Sequence, residues 1–178
     1  MAQKIKPPQK LIAYLKQAGI KHNLLEHKTV YTAYDAAATM KRKLNEIAKS
    51  LLVLAGKDYY LALIPADHNL DFKKLAKVVA KFSGKPVKVV KIPSEKVMEN
   101  LLKIKAGAMS AFGKFHKLPV LMDKNLAKVK KAVFSSGSFN HSIEMAVKDF
   151  IKLENAILGD FGIKKKAKLE LKKRIKTN

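Results

Sequence analysis

The sequence predicts a mixed α/β (α+β) fold in which a largely antiparallel sheet or partial barrel carries helices packed on its outside. The first observation behind this is a β-hairpin: residues 50–55 and 59–65 are short apolar runs joined by the turn Gly56-Lys57-Asp58. The second is an irregular alternation of helical and strand-like patterns along the rest of the chain. The third is the length of 178 residues, which suits one domain with a substantial core. Both hairpin runs are continuously apolar, which indicates central strands covered on both faces.

Two helices and a strand are predicted before the hairpin. The proline pair at residues 7–8 can open a helix, because proline fits the first helical position and the apolar residues after it recur at helical spacing. Residues 22–27 indicate a short strand. Thr32 can then cap a second helix, with Asp35 returning the hydrogen bond.

Lys49 is a charged residue at the start of the first hairpin strand, beside the most apolar segment of the chain. It has two interpretations. In one, its stem lies on the sheet and its ammonium stays in water. In the other, the ammonium projects into a pocket beside the sheet and holds an anion or a polar group of a ligand. Composition alone leaves both open.

The helix after the hairpin is predicted to present a cationic face, with Asp71 as its cap. The apolar stripe expected to enter the core consists of Phe72, Leu75, Ala76, Val79 and Phe82. The lysines on the other faces are Lys73, Lys74, Lys77 and Lys81. They are either simply solvated or a track for phosphates.

The C-terminal half is predicted to continue with strands and helices. The predicted strands are 86–92, 118–122, 131–135 and 141–147. Pro93-Ser94 indicates a helix start, residues 107–113 a glycine-bounded loop, residues 136–140 a turn, and a final helix passes through Phe150.

The charge of the chain is strongly positive. Lys and Arg number 37 against 14 Asp and Glu, for a net charge of +23. Removing residues 164–178, with eight basic residues and one acidic residue, still leaves +16. We therefore expect one domain over residues 1–162 and a basic C-terminal tail over 163–178. A polyanionic partner is favoured, and RNA, DNA and an anionic membrane all fit this charge. A merely solvated lysine surface is the alternative.

Several classes are excluded by what the sequence lacks. It has no cysteine, which rules out disulfides, thiolate nucleophiles and cysteine-ligated zinc. Its five histidines show no pair at helical ligand spacing, so no metal or other cofactor is expected. It has no Gly-x-Ser-x-Gly elbow and no Walker loop. Without an apolar signal core or a run that could span a bilayer, it is predicted to be soluble and cytoplasmic, with no membrane partner.

Backbone amides are the remaining source of chemistry. Ester hydrolysis needs donors aimed at a developing oxyanion, and glycines let amides approach a substrate closely. The candidates are residues 107–111 and Gly137-Ser138. These glycines could equally do no more than turn the chain.

Six segments occur in an order that resembles a known family. They are HKTVYTAYDAA from His27, IAKSLLV around Lys49, LALIPAD from Leu61, GAMSAFG from Gly107, LPVLMD from Leu118 and FSSGSFNHSIEM from Phe134. This order is similar to that of the YbaK/ProX-type aminoacyl-tRNA deacylases, which also occur as the editing insertion of bacterial prolyl-tRNA synthetases. The resemblance covers about residues 8–155 and implies the fold of that prolyl-tRNA synthetase-associated domain.

The resemblance also implies an activity and a set of site residues. The family hydrolyses the ester that joins a wrong amino acid to the 3′ adenosine of tRNA, without metal or a protein nucleophile, and the neighbouring ribose hydroxyl helps to activate water. Lys49 matches the family lysine that holds the substrate. The Gly-x-x-x-Pro loop, whose amides orient the carbonyl, is matched by Gly107, Ala108, Met109, Ser110 and Ala111. Further substrate-binding residues are expected at Tyr31, Thr32, Gly137, Ser138 and His141.

The loop departs from the family at Ala111, which stands where the family has proline. Proline restricts its own backbone and the residue before it, so its loss is expected to leave Ser110 and Ala111 freer and their amides less well aligned. The predicted function is a trans-acting deacylase of mischarged tRNA, with an aminoacyl-tRNA synthetase as a candidate associate. The alternative is a weak or inactive tRNA/RNA-binding module on the same scaffold. A cationic membrane-surface protein would need an amphipathic aromatic helix that the sequence lacks.

Overall fold

The computed structural model describes residues 6–103 and 108–166. The helices of this part are α1 Gln9–Gln17, α2 Ala33–Met40, α3 Phe72–Ser83, α4 Glu95–Leu102, α5 Lys124–Ala127 and α6 Val147–Glu154. Its strands are β1 His22–Glu26, β2 Ala48–Ala55, β3 Asp58–Pro65, β4 His68–Leu70, β5 Val90–Lys91, β6 Val120–Asp123, β7 Lys131–Ser135, β8 His141–Ala146, β9 Ile157–Gly159 and β10 Gly162–Lys164. Short 3₁₀ helices lie at Leu44–Glu46 and Gly113–His116.

The strands form three sheets. The largest has the order β5-β2-β3-β6-β9, with β2 antiparallel to β3 and β5, and β6 parallel to β3 and β9. The second is antiparallel, in the order β1-β8-β7, and the third pairs β4 with β10. A parallel bridge between Ile47 and Val133 joins the start of β2 to β7. The predicted mixed α+β fold is confirmed, and within the described residues these sheets do not close into a barrel.

The β2–β3 hairpin is the centre of the large sheet, as the apolar runs predict. Gly56 turns the chain with φ of +65°, a conformation that favours glycine. Alternate residues of β2 enter different cores, because strand side chains alternate between faces. Leu52 packs with α1 and α6, whereas Val53 packs beneath α3, and both are fully buried.

The predicted helix caps are present. The Thr32 hydroxyl accepts a hydrogen bond from the Asp35 amide at 3.1 Å. This is one of the two hydrogen bonds that were predicted between Thr32 and Asp35. Asp71 accepts from the Lys74 amide at 3.0 Å, and Ser94 caps α4 in the same way. These caps fix where α2, α3 and α4 begin.

Two expectations about the middle of the chain are wrong. Phe72 and Phe82, at the two ends of α3, are 41% and 50% exposed, because only the centre of the helix lies over the sheet. Phe82 meets the edge of the Tyr60 ring instead. The predicted strand 86–92 shrinks to β5, which pairs only with the last residues of β2. Pro86 has no amide proton with which to extend that ladder.

The C-terminal end contributes elements that the sequence did not predict. β10 pairs with β4, and the Lys165 amide continues the pairing by donating to the Asp67 carbonyl at 2.8 Å. Residues 163–165 therefore lie against the domain, although the prediction placed them in the tail. The rest of the predicted tail, residues 167–178, lies outside the described residues. The division at residue 162 stays a prediction.

Candidate functional site

A cavity of about 440 Å³ opens between α2, the start of β2 and the β7–β8 turn. Its size is that of a pocket for a small ligand. Most of its wall is apolar, and the polar groups come from a few side chains. These polar side chains are Tyr31, Thr32, Tyr34, Lys49, Ser50, Ser135, Ser138 and Ser142.

Lys49 is the only charged side chain among the described residues that line the cavity. It faces Ile64 across the hairpin and is partly buried. Burial lowers the pKa of Lys49 because the ammonium loses solvent, and the charge of Lys165 lowers it further, while Tyr34 acts in the opposite direction. The cavity thus contains a partly desolvated cation.

The glycine loop lies against the cavity through its second half. Gly107 lies outside the described residues, whereas Ala108, Met109, Ser110 and Ala111 are buried, and Met109 lines the cavity. The Ala111 amide donates to the Ser135 carbonyl at 2.9 Å, so it is already engaged. The amides of Met109 and Ser110 have no acceptor among the residues that the structure describes. These two amides are the loop donors best able to serve a ligand.

The Ala111 hydrogen bond bears on the expected freedom of this loop. A proline at this position could not donate to Ser135. Here the bond ties the loop to β7, and the Ser110 hydroxyl adds a second restraint by accepting from the Phe112 amide at 3.2 Å. The loop therefore has restraints of its own in place of the proline ring.

The β7–β8 turn touches the glycine loop. Gly137 has φ of +86°, and a Cβ added there would lie 3.5 Å from the Ser110 Cβ. Next to it, the Ser138 hydroxyl lies 3.3 Å from Nδ1 of His141, which is buried. The structure thus places Gly137 beside Ser110, and Met109 and Ser138 both line the cavity.

The predicted wall at the start of α2 has an exposed aromatic group. Tyr31 is 67% exposed, and its ring centroid lies 5.3 Å from that of Phe139. Thr32 lines the cavity while its hydroxyl caps α2. Tyr31 could stack on a planar ligand group at the entrance, whereas Thr32 mainly fixes the backbone.

A polar pair at the cavity wall, His27 and Ser142, was not predicted from the sequence. His27 has Nδ1 2.8 Å from the Lys28 carbonyl and Nε2 2.9 Å from the Ser142 hydroxyl. A carbonyl can only accept, so Nδ1 donates to Lys28, and Nε2 pairs with the Ser142 hydroxyl. The sequence did contain a sign of this position for Ser142. Side chains alternate along β8, so Ser142 lies on the face opposite His141 and Ile143.

The described residues form neither a metal-binding cluster nor a membrane-spanning helix. Among residues 6–103 and 108–166, no group of three His, Asp or Glu side chains could hold a metal ion. The helices of the same part are all too short or too polar to cross a bilayer. The expectation of a metal-free site stays a prediction.

Comparison with known proteins decides the family. The family model for the aminoacyl-tRNA editing domain matches residues 27–153, which is more than half of the chain. The chain belongs to the aminoacyl-tRNA editing domain family. The predicted YbaK/ProX-type resemblance is confirmed by this match. Every predicted site residue falls inside the matched segment of the editing domain, while Lys165 lies beyond it.

Similar proteins agree with this assignment. The chain is 25% identical over 154 residues to the prolyl-tRNA editing protein ProX of Acetoanaerobium sticklandii, covering 83% of this chain and 90% of that protein. Two crystal structures share its fold. Hypothetical protein APE2540 has a TM-score of 0.74 at 23% identity, covering 86% of this chain and 99% of the other. The crystal structure of a putative trans-editing enzyme for prolyl tRNA synthetase has a TM-score of 0.71 at 22% identity, covering 92% of this chain and 100% of the other.

Proposed function

We propose that this editing-domain protein is a trans-acting aminoacyl-tRNA deacylase, which hydrolyses the ester of a mischarged tRNA in the cytoplasm. The observation that carries the proposal is the small, largely apolar cavity whose one charged lining residue, among those described, is Lys49. A cavity of this kind suits a small amino acid and the sugar to which it is esterified.

The residues divide the work of hydrolysis. Lys49 holds a polar or anionic group of the substrate. Its partial burial strengthens this interaction, because charges interact more strongly where water is excluded. The amides of Met109 and Ser110 donate to the ester oxygen as negative charge develops on it. The ribose hydroxyl beside the ester helps to activate the attacking water, as the family resemblance implies.

The alternative is a binding module that lost catalysis with the family proline. The hydrogen bond from the Ala111 amide to Ser135 weakens this alternative, because it restrains the loop that the proline would have restrained. The tethered loop therefore favours the enzyme.

The partner is tRNA, bound through exposed lysines. The lysines of α3 are all exposed on the side away from the buried Leu75 and Val79. A row of ammonium groups can follow a phosphate backbone and release its counterions. An aminoacyl-tRNA synthetase is the candidate associate, since the editing products are its substrates.

Incubation with a panel of mischarged tRNAs tests the activity. We expect release of free amino acid from at least one tRNA that carries a small residue. A catalytically inactive protein would release nothing above the buffer rate from any member of the panel while still retarding tRNA in a gel.

Chelation tests the metal-free mechanism. Backbone amides and the substrate hydroxyl need no Lewis acid, so the deacylation rate should be unchanged after dialysis against EDTA. The measurement is the initial rate before and after dialysis, with a known zinc hydrolase treated in parallel as the control. Loss of activity that zinc or manganese restores would contradict the mechanism.

A further inference from the structure

Lys165 is a second cation at the edge of the cavity, supplied by the segment after β10. Its ammonium donates to the Tyr34 hydroxyl at 2.9 Å and to the Ala66 carbonyl at 3.2 Å. It also lies 4.4 Å from the centroid of the Tyr34 ring, within range of a cation–π contact. Tyr34 and Ala66 both line the cavity. The backbone bond from Lys165 to Asp67 fixes the segment that carries this side chain.

The two lysines share one electrostatic environment. Lys165 is close enough to Lys49 for its charge to disfavour the protonated form of Lys49. In the described part of the chain, no carboxylate forms an ion pair with either lysine. The nearby Asp67 carboxylate instead meets Nδ1 of His68 at 2.7 Å. Two cations held beside each other repel, and an anion bound between them would relieve that repulsion.

We propose that Lys165 and Lys49 form a binding site for a phosphodiester at the edge of the cavity. The proposal rests on the proposed function, since it takes this diester to be the one on the 5′ side of the terminal adenosine of tRNA. An aminoacyl ester has no free carboxylate, so the phosphodiester is the anion of the substrate nearest to the scissile bond. With two of its donors on Tyr34 and Ala66, the Lys165 ammonium has a third donor for a phosphate oxygen.

This site would give the segment after β10 a role in positioning. A charge-assisted contact to phosphate fixes the register of a nucleic acid without reading its sequence. Lys165 would therefore place the terminal adenosine so that its ester reaches the amides of Met109 and Ser110. It is a positioning residue, and its loss should weaken binding more than turnover.

Binding of a short ligand with and without the diester charge tests the site directly. The probes are cytidylyl-(3′→5′)-adenosine and its uncharged methylphosphonate analogue, titrated by calorimetry. We expect wild type to prefer the charged ligand, and Lys165→Gln to lose roughly tenfold in affinity for it, as a lost hydrogen bond between charged groups implies. Lys164→Gln and Lys166→Gln are matched controls, since both side chains are exposed neighbours and each change removes one charge. They should change the affinity less than about twofold.

A second variant and a kinetic measurement complete the test. Tyr34→Phe removes the hydroxyl that holds Lys165 and keeps the ring, so it should weaken the preference for the charged ligand in part. In the deacylation assay, Lys165→Gln should raise KM for aminoacyl-tRNA and leave kcat nearly unchanged.

Equal binding of both ligands by wild type, or equal effects of the three lysine changes, would overturn the proposal. A preference for the diester that depends on Lys165 in a protein without deacylase activity would support the phosphate site and refute the proposed function.

Discussion

Replacing Lys49 by alanine should slow deacylation at least about tenfold and leave the affinity for tRNA almost unchanged. The charge removed is one of a net +23, so the general attraction to a polyanion hardly falls. A contact made to the substrate inside the cavity is different, since hydrogen bonds to charged groups contribute roughly 1.5–3 kcal/mol. The measurement is the single-turnover rate together with a filter-binding titration on the same sample.

Lys57→Ala is the matched control for Lys49. Lys57 lies at the opposite end of the same hairpin, in the exposed turn, and carries the same charge. It should lower neither the rate nor the affinity by more than about twofold. A deacylation rate that falls equally in both variants, or in neither, would show that Lys49 acts only as part of the surface charge.

Stability provides an independent measure of the role of Lys49. Its pKa is lowered in the folded state by burial first and by Lys165 second, so the unfolded chain binds the proton more tightly. Its contribution to the free energy of unfolding therefore rises with pH between the lowered folded pKa and the unfolded value of 10.5, and it is unfavourable below that window. Lys49→Met, which keeps much of the stem, should be at least as stable as wild type at neutral pH and still deficient in deacylation. Such a trade-off is typical of a residue retained for function.

The central hairpin could be predicted from sequence because its signals are strong and local. Two apolar runs and a glycine turn define β2 and β3 regardless of what packs on them. The same argument covers α2 and α3, whose caps, Thr32 and Asp71, act within one helical turn. Predictions of this kind need no knowledge of distant residues.

The short elements could not be predicted in this way. β4, β9 and β10 have three residues each, too few for an alternation to be recognised, and their pairing depends on partners far away in sequence. The exposure of Phe72 and Phe82 was missed for a related reason. A helical stripe shows which face turns inward, but the length of the sheet below decides how far the contact extends.

The candidate site was predictable only in part. Family motifs pointed to Lys49 and to residues 107–111, whereas the contact of Tyr34 with Lys165 joins residues separated by 131 positions. The engaged amide of Ala111 was likewise invisible, because its acceptor, Ser135, lies on another strand. Contacts of this kind depend on tertiary structure and leave no periodic pattern.

Asp123→Ala should lower the free energy of unfolding by about 3 kcal/mol or more, since each buried N–H left without an acceptor costs roughly 1–3 kcal/mol. The Asp123 side chain is 0% exposed, and its Oδ2 accepts from the amides of Phe161 and Gly162 at 2.9 and 2.7 Å. Its Oδ1 accepts from both the backbone and the side-chain nitrogen of Asn125 at 2.9 Å. Urea unfolding followed by circular dichroism gives the change. Asp160→Ala is the control, because that carboxylate is exposed and, within the described part of the chain, pairs only with Lys74 at 3.4 Å.

Asp123→Asn separates the hydrogen bonds from the packing of this side chain. Asparagine keeps the shape but turns one acceptor oxygen into a donor, so the two N–H groups that face that atom lose their acceptor. Its unfolding free energy should fall between those of Asp123→Ala and wild type, whereas equality with wild type would show that the carboxylate contributes only volume.

Asp123 also holds the two residues that lead into β10, and β10 leads to Lys165 at the edge of the cavity. The folded Asp123→Asn protein should therefore bind the charged dinucleotide more weakly than wild type, because the substitution loosens the segment that carries Lys165. The loss of affinity should be no larger than that of Lys165→Gln, because the lysine itself is still present.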